Sequence, residues 1–139
     1  MKLRIKGNSL RLRLLRGEVE QFGKIGRVAD TIRFGASHAA LLSYVLESSR
    51  EIEKIAAEFS NNVIIVKVPD EIAKDWVETG QVTLKAEHLI DNSEPTDTDK
   101  IDASENVLTI LIEKDFVCPD GKDEPDNADA FPQPTGKCG

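Results

Sequence analysis

Charged and apolar residues take turns from Lys2 to Lys6, and the same alternation returns from Ser9 to Leu14. Side chains on a strand point to opposite faces with period two, so both runs predict strands. Gly7-Asn8-Ser9 between them is turn chemistry and joins them as a hairpin. In the second strand Leu10, Leu12 and Leu14 fall on one face and Arg11 and Arg13 on the other; in the first, Leu3 and Ile5 oppose Lys2, Arg4 and Lys6. The hairpin is expected to carry one apolar face and one wholly basic face. Beyond it, Glu18 to Lys24 predicts a short helix with Val19 and Phe22 on one side, ended by Gly26. Val28 to Phe34 and Leu41 to Leu46 predict two more strands, joined through Gly35-Ala36-Ser37-His38.

A polar joint from Ser48 to Glu53 is followed by the same order of signals. Ile55 to Phe59 predicts a strand, Asn61-Asn62 a turn and Val63 to Val68 another strand. Pro69-Asp70-Glu71 predicts a helix start, because proline suits the first helical position and acids suit the positive end of the helix dipole. That helix carries Ile72 and Trp76 and stops near Gly80; Val82 to Leu89 and Val107 to Phe116 supply the last strands. A shift of 54 residues places Asn62 on Asn8, Val66 on Leu12, Lys67 on Arg13, Trp76 on Phe22, Gly80 on Gly26 and Val82 on Val28. Turn, helix and glycine landmarks arrive in step, which predicts an internal repeat.

Neither copy is large enough to bury its apolar face alone. The expected fold class is therefore mostly β (α+β), an antiparallel pseudo-twofold barrel of two strand-strand-helix-strand-strand repeats. Its single compact domain spans residues 1–117, with copies at 1–48 and 53–117. Residues 91–105 read as an acidic loop insertion and residues 118–139 as an irregular, acidic, proline-rich tail.

The run Leu3 to Leu15, with Gly7-Asn8-Ser9, Arg13, and Arg4 and Lys6 on the preceding strand, resembles the opening of the AbrB/MazE swapped-hairpin family of DNA-binding proteins and antitoxins. The Val-Pro-Asp-Glu-Ile-Ala-Lys stretch from Val68 to Lys74 resembles the strand-to-helix junction of the same fold. That resemblance implies intertwined hairpins in a small barrel, basic on one side for DNA, with this chain as a single-chain version of the family's dimer. The whole chain also resembles a group of small uncharacterised bacterial proteins that share Arg4 to Ser9 and a late Glu-Lys-Asp-Phe-x-Cys, here Glu113 to Cys118. No activity comes with that second likeness.

Charge changes the picture, because the net −7 hides a division. Residues 1–50 carry ten Lys/Arg against four Asp/Glu, and residues 51–139 carry eight against twenty-one. Such asymmetry points to an anionic partner for the first half, or to an acidic segment of the same chain lying over it. The candidate ligand-binding residues are Arg4, Lys6, Asn8, Arg11 and Arg13 on the first hairpin, with arginines pairing phosphate or carboxylate and Asn8 shaping the turn. Expected partners are nucleic acid or another polyanion, or else a protein, and the expected state is a monomer built as a pseudo-dimer, or a homodimer. A third reading places Arg11, Arg13, Arg33, Lys67 and Lys85 inside a closed barrel with Glu47, Glu58, Glu87 and Glu113, resembling the triphosphate-tunnel enzymes in barrel size and charge.

Other chemistry finds little support. Cys118, Cys138, His38 and His88 lack the close pairs of a zinc site, and Asp97, Asp99 and Asp102 lack the glycine and closing glutamate of an EF-hand. No metal and no cofactor is expected, and the two cysteines are expected as free thiols. No apolar run approaches the ~18 residues of a membrane span, and the first residues do not form a signal-peptide core, so a cytoplasmic protein without membrane association is expected.

Overall fold

A computed structural model describes residues 1–90 and 107–115; the expected acidic loop and tail, and both cysteines, lie outside the described residues. The elements run β1 (Lys2–Ile5), β2 (Ser9–Leu14), α1 (Arg16–Ile25), β3 (Arg27–Arg33), a 3-10 turn (His38–Ala40), β4 (Leu41–Ser49), β5 (Ala56–Ser60), β6 (Val63–Pro69), α2 (Asp70–Glu78), β7 (Thr83–Leu89) and β8 (Val107–Lys114). Among the described residues no helix is long and apolar enough to cross a membrane.

Local chemistry explains these boundaries. The β5–β6 turn places both Asn61 and Asn62 at positive φ, 49° and 62°, a left-handed pair whose twist suits a two-residue hairpin and which asparagine tolerates. Helix α1 begins where the Leu15 N–H donates to Glu18 Oε1 at 3.0 Å and ends at Gly26, left-handed at φ 80°, whose N–H returns to the Phe22 carbonyl at 2.9 Å. Pro69 closes β6 and occupies the N-cap of α2, so the first helical residue is Asp70 and not the expected proline.

The strands form two open four-stranded sheets, β1-β2-β8-β7 and β3-β4-β6-β5. This corrects the expectation of a closed, antiparallel barrel. Each hairpin is antiparallel, but β2 lies parallel to β8, from Ser9 beside Thr109 to Leu14 beside Lys114, and β4 lies parallel to β6, from Ser43 beside Val63 to Ser49 beside Pro69. The cause is the helix in the middle of each half. It carries the chain from one sheet to the other, so each first hairpin finds its neighbour in the other half, with the two inner strands running the same way.

Between the sheets lies an aliphatic core: Leu12, Leu14 and Ile112 from the first sheet against Leu46, Val66 and Val68 from the second. Both helices close one side of it through Val19, Phe22, Ala73 and Trp76. Trp76 is fully buried, meets the edge of Phe22 at 6.2 Å between centroids, and donates its indole N–H to the Val82 carbonyl at 3.1 Å. Val82 is thereby diverted from the place the 54-residue shift gave it. Leu84 faces Ile112 as Val28 faces Leu46, so the longer connection after α2 moves the match by two residues.

Lys114 shares the inner face of β8 with Ile110 and Ile112 and is only 6% exposed. Its Nζ donates to the Thr79 carbonyl at the end of α2 at 2.7 Å and lies 5.4 Å from the centre of the Trp76 ring. Burial pushes its pKa below the ordinary 10.5. Between that lowered value and 10.5 the unfolded chain binds more protons than the folded one, so this group adds stability as pH rises. Urea midpoints across that alkaline interval should climb further in wild type than in Lys114→Met, and parallel pH profiles would show that the ammonium is not strained by burial.

Gly23 sets the approach of the helices, since a Cβ there would stand 2.8 Å from Val77 Cγ1. Val77 has little χ1 freedom in a helix and cannot swing aside. Gly23→Ala gains about 1 kcal/mol of helix propensity. Overpacking of roughly 1–3 kcal/mol opposes that gain. Thermal melts should show Gly23→Ala less stable than wild type, and the added change Val77→Ala should remove the clash contribution in a double-mutant cycle.

Candidate functional site: the cationic face of the first sheet

Register brings the predicted basic residues onto the outer face of the first sheet. Lys2 faces Arg13 and Arg4 faces Arg11 across the β1–β2 ladder. One strand further, Arg13 lies beside Glu113 and Arg11 beside Leu111; beyond β8 these rows end in Thr83 and Lys85. The burial of β2 alternates in step, with Leu10, Leu12 and Leu14 inward and the arginines half-exposed outward.

Two like-charged pairs directly opposite each other destabilise a hairpin. The neighbouring strand offsets part of that cost. Glu113, with its side chain 16% exposed, reaches Arg13 Nε at 3.2 Å and Arg11 Nε at 3.6 Å, so one carboxylate bridges both guanidinium groups. At the end of β8 the Asp115 carboxylate pairs with Lys2 Nζ at 3.1 Å, while its N–H continues the ladder to the Leu14 carbonyl at 2.8 Å. Arg4 and Lys6 are exposed and make no ion pair among the described residues.

Asn8 is exposed at the turn, but its side chain is engaged. Nδ2 donates to the Val107 carbonyl at 2.7 Å, and the Asn8 carbonyl accepts the Thr109 N–H at 3.1 Å. Asn62 repeats both contacts in the second sheet, with the Ala39 carbonyl at 3.2 Å and the Ser43 N–H at 2.9 Å. These asparagines pin the parallel strand pairs, so the turn residue of the basic hairpin serves first to fix its register. Ser9 Oγ adds a 2.6 Å bond to the Lys6 carbonyl, tightening the same turn.

The outer face of the second sheet differs. Beside Lys67 stand Glu47 and Ala56, and beside Ile65 stand Val45 and Glu58, so the centre is apolar where the first sheet has Arg11 and Lys85. Lys67 pairs with Glu58 at 3.3 Å. This arrangement also removes the tunnel reading. Arg11, Arg13, Lys85, Glu87 and Glu113 lie on the outside of one sheet, Glu47, Glu58 and Lys67 on the outside of the other, and the space between is filled by the leucine, isoleucine and valine core.

Two residues that alternation could not reveal link the two sheets. His88, on edge strand β7, accepts the Ala57 N–H of edge strand β5 through Nδ1 at 2.9 Å. Tyr44, on β4, donates to the Met1 carbonyl at 3.2 Å, and the Met1 amine lies between Glu18 and Asp30, 2.9 Å from the latter. Burial, with the nearby charges of Asp30 and Glu18, raises the Tyr44 phenol above its usual pKa. The His88 contact joins two edge strands that share no backbone ladder among the described residues.

The molecule is thus defined as a mixed-sheet α+β protein with one cationic sheet face. It belongs to a family of unknown function, DUF7009, whose model matches residues 1–135. No curated protein and no solved structure matches the chain.

Proposed function

We propose that the protein is a binding module for a polyanion such as DNA or another phosphate-rich ligand, using the outer face of the first sheet. The observation that carries this reading is the collection of Lys2, Arg4, Arg11 and Arg13 as like-charged cross-strand pairs, with Arg4 and Lys6 left without an ion-pair partner among the described residues. A hairpin that gathers cations against their mutual repulsion is better explained by an anionic ligand than by solubility alone. The exchange of hairpins between the two halves supports kinship with the AbrB/MazE swapped-hairpin proteins, here with both protomers' worth of hairpins in one chain. In this reading Arg4, Lys6, Arg11 and Arg13 pair phosphate oxygens, and Asn8 holds the turn that presents them.

The protein should be retained on heparin or a short DNA duplex at low salt, with affinity falling as salt rises. Arg11→Ala combined with Arg13→Ala should abolish retention while the fold, followed by circular dichroism, persists. A wild-type protein that passes through unretained leaves the other reading, a protein-interaction domain without anion affinity, which the net charge of −7 favours.

The acidic segment after β8 is assigned the role of competitor for the same face. Five acids lie between Asp120 and Asp129, and Asp115, just before them, already reaches Lys2 on β1. Removing the residues after Cys118 should raise the salt concentration needed to elute the protein from heparin, and an unchanged elution point would remove the competitor role.

A further inference from the structure

We infer that Glu113 is a built-in competitor of the cationic face, a residue that sets how many phosphates the face can neutralise; this rests on the anion-binding reading above. Its carboxylate bridges Arg11 Nε at 3.6 Å and Arg13 Nε at 3.2 Å, the geometry an incoming phosphate or carboxylate needs. The bridge is built by the fold. β8 runs parallel to β2 with Glu113 beside Arg13, and the Asn8 contacts to Val107 and Thr109 fix that register. Among the described residues both guanidinium groups are therefore engaged through Nε, and Arg4 and Lys6 are exposed cations without an ion pair, available for a first encounter.

A ligand then takes over the Nε positions of the inner pair only by displacing Glu113. A single anionic group must replace an intramolecular carboxylate of equal or lower charge, so it gains little. A polyanion already held at Arg4 and Lys6 presents its next phosphate at high effective concentration and displaces the carboxylate. Glu113 thus selects for ligands with several closely spaced negative groups, and the face discriminates against free phosphate and small carboxylates.

The test compares Glu113→Gln with Glu87→Gln in the full chain. Glu87 lies on the same face, two rows away beside Thr109, is exposed, and makes no ion pair among the described residues. Both changes remove one negative charge, but only Glu113→Gln frees the arginine pair. Binding to a 20-base-pair DNA duplex is measured by fluorescence anisotropy over a series of salt concentrations, with inorganic phosphate as a competitor. Glu113→Gln should steepen the dependence of log K on log salt by about one to two and tighten binding at low salt by about three- to tenfold. It should also make binding sensitive to phosphate, while Glu87→Gln stays near wild type. Equal effects from the two variants, or none from Glu113→Gln, would overturn the competitor role and leave the binding face standing. Absence of binding by wild type and Glu113→Gln alike would overturn both. If Glu113→Gln melts before wild type, Glu113→Asp, which keeps the charge but shortens the reach, should give an intermediate salt slope, and a slope identical to wild type would refute the inference.

Discussion

The pairing of β2 with β8 holds this molecule together, because it joins the first hairpin to the last across a hundred residues. Its counterpart, β4 with β6, does the same for the second sheet. Neither sheet belongs to one half of the chain, so neither half has a core of its own. The two helices exist as crossovers that make this exchange possible, and Gly23 lets them come close enough to seal the side of the core that the strands leave open. Trp76 and Lys114 lock that side, one as buried volume and the other as a cation against the end of α2.

The same pairing decides what the outside looks like. Period-two alternation sends the leucines of β2 inward and its arginines outward, but only the parallel neighbour determines that Glu113 stands beside Arg13. Charge on the face is therefore a property of the sheet and not of the hairpin. Among the described residues two acids, Glu113 and Asp115, answer the cations of β1 and β2 through direct ion pairs. Arg4 and Lys6, near the turn, have no ion pair among the described residues.

Much of this was legible in the sequence, for physical reasons that differ by element. Both hairpins at the chain's beginning and middle, both helices and the opposition of Leu10, Leu12 and Leu14 to Arg11 and Arg13 follow from alternation and turn chemistry, which are local. Strand partnership is not local, and an open pair of mixed sheets replaced the antiparallel barrel because alternation is indifferent to whether a neighbour runs parallel. The bridging role of Glu113 was hidden for the same reason. His88 carried no signal at all: its function is to receive the Ala57 amide of another sheet, a contact that depends on where two edges meet. The 54-residue shift set Val82 on Val28, but Val82 gives its carbonyl to the Trp76 indole and it is Leu84 that faces Ile112 as Val28 faces Leu46.

The span between β2 and β8 has a consequence for synthesis on the ribosome. A chain elongating at about 5 to 20 residues per second needs roughly 5 to 20 seconds to add the hundred residues that separate these strands. During that time β2 has β1 beside it but not β8, so its inward leucines wait on the last strand for cover along that edge. Its arginines take the opposite face of the same hairpin. The order of translation thus leaves Arg11 and Arg13 without Glu113 beside them until the last strand has been made.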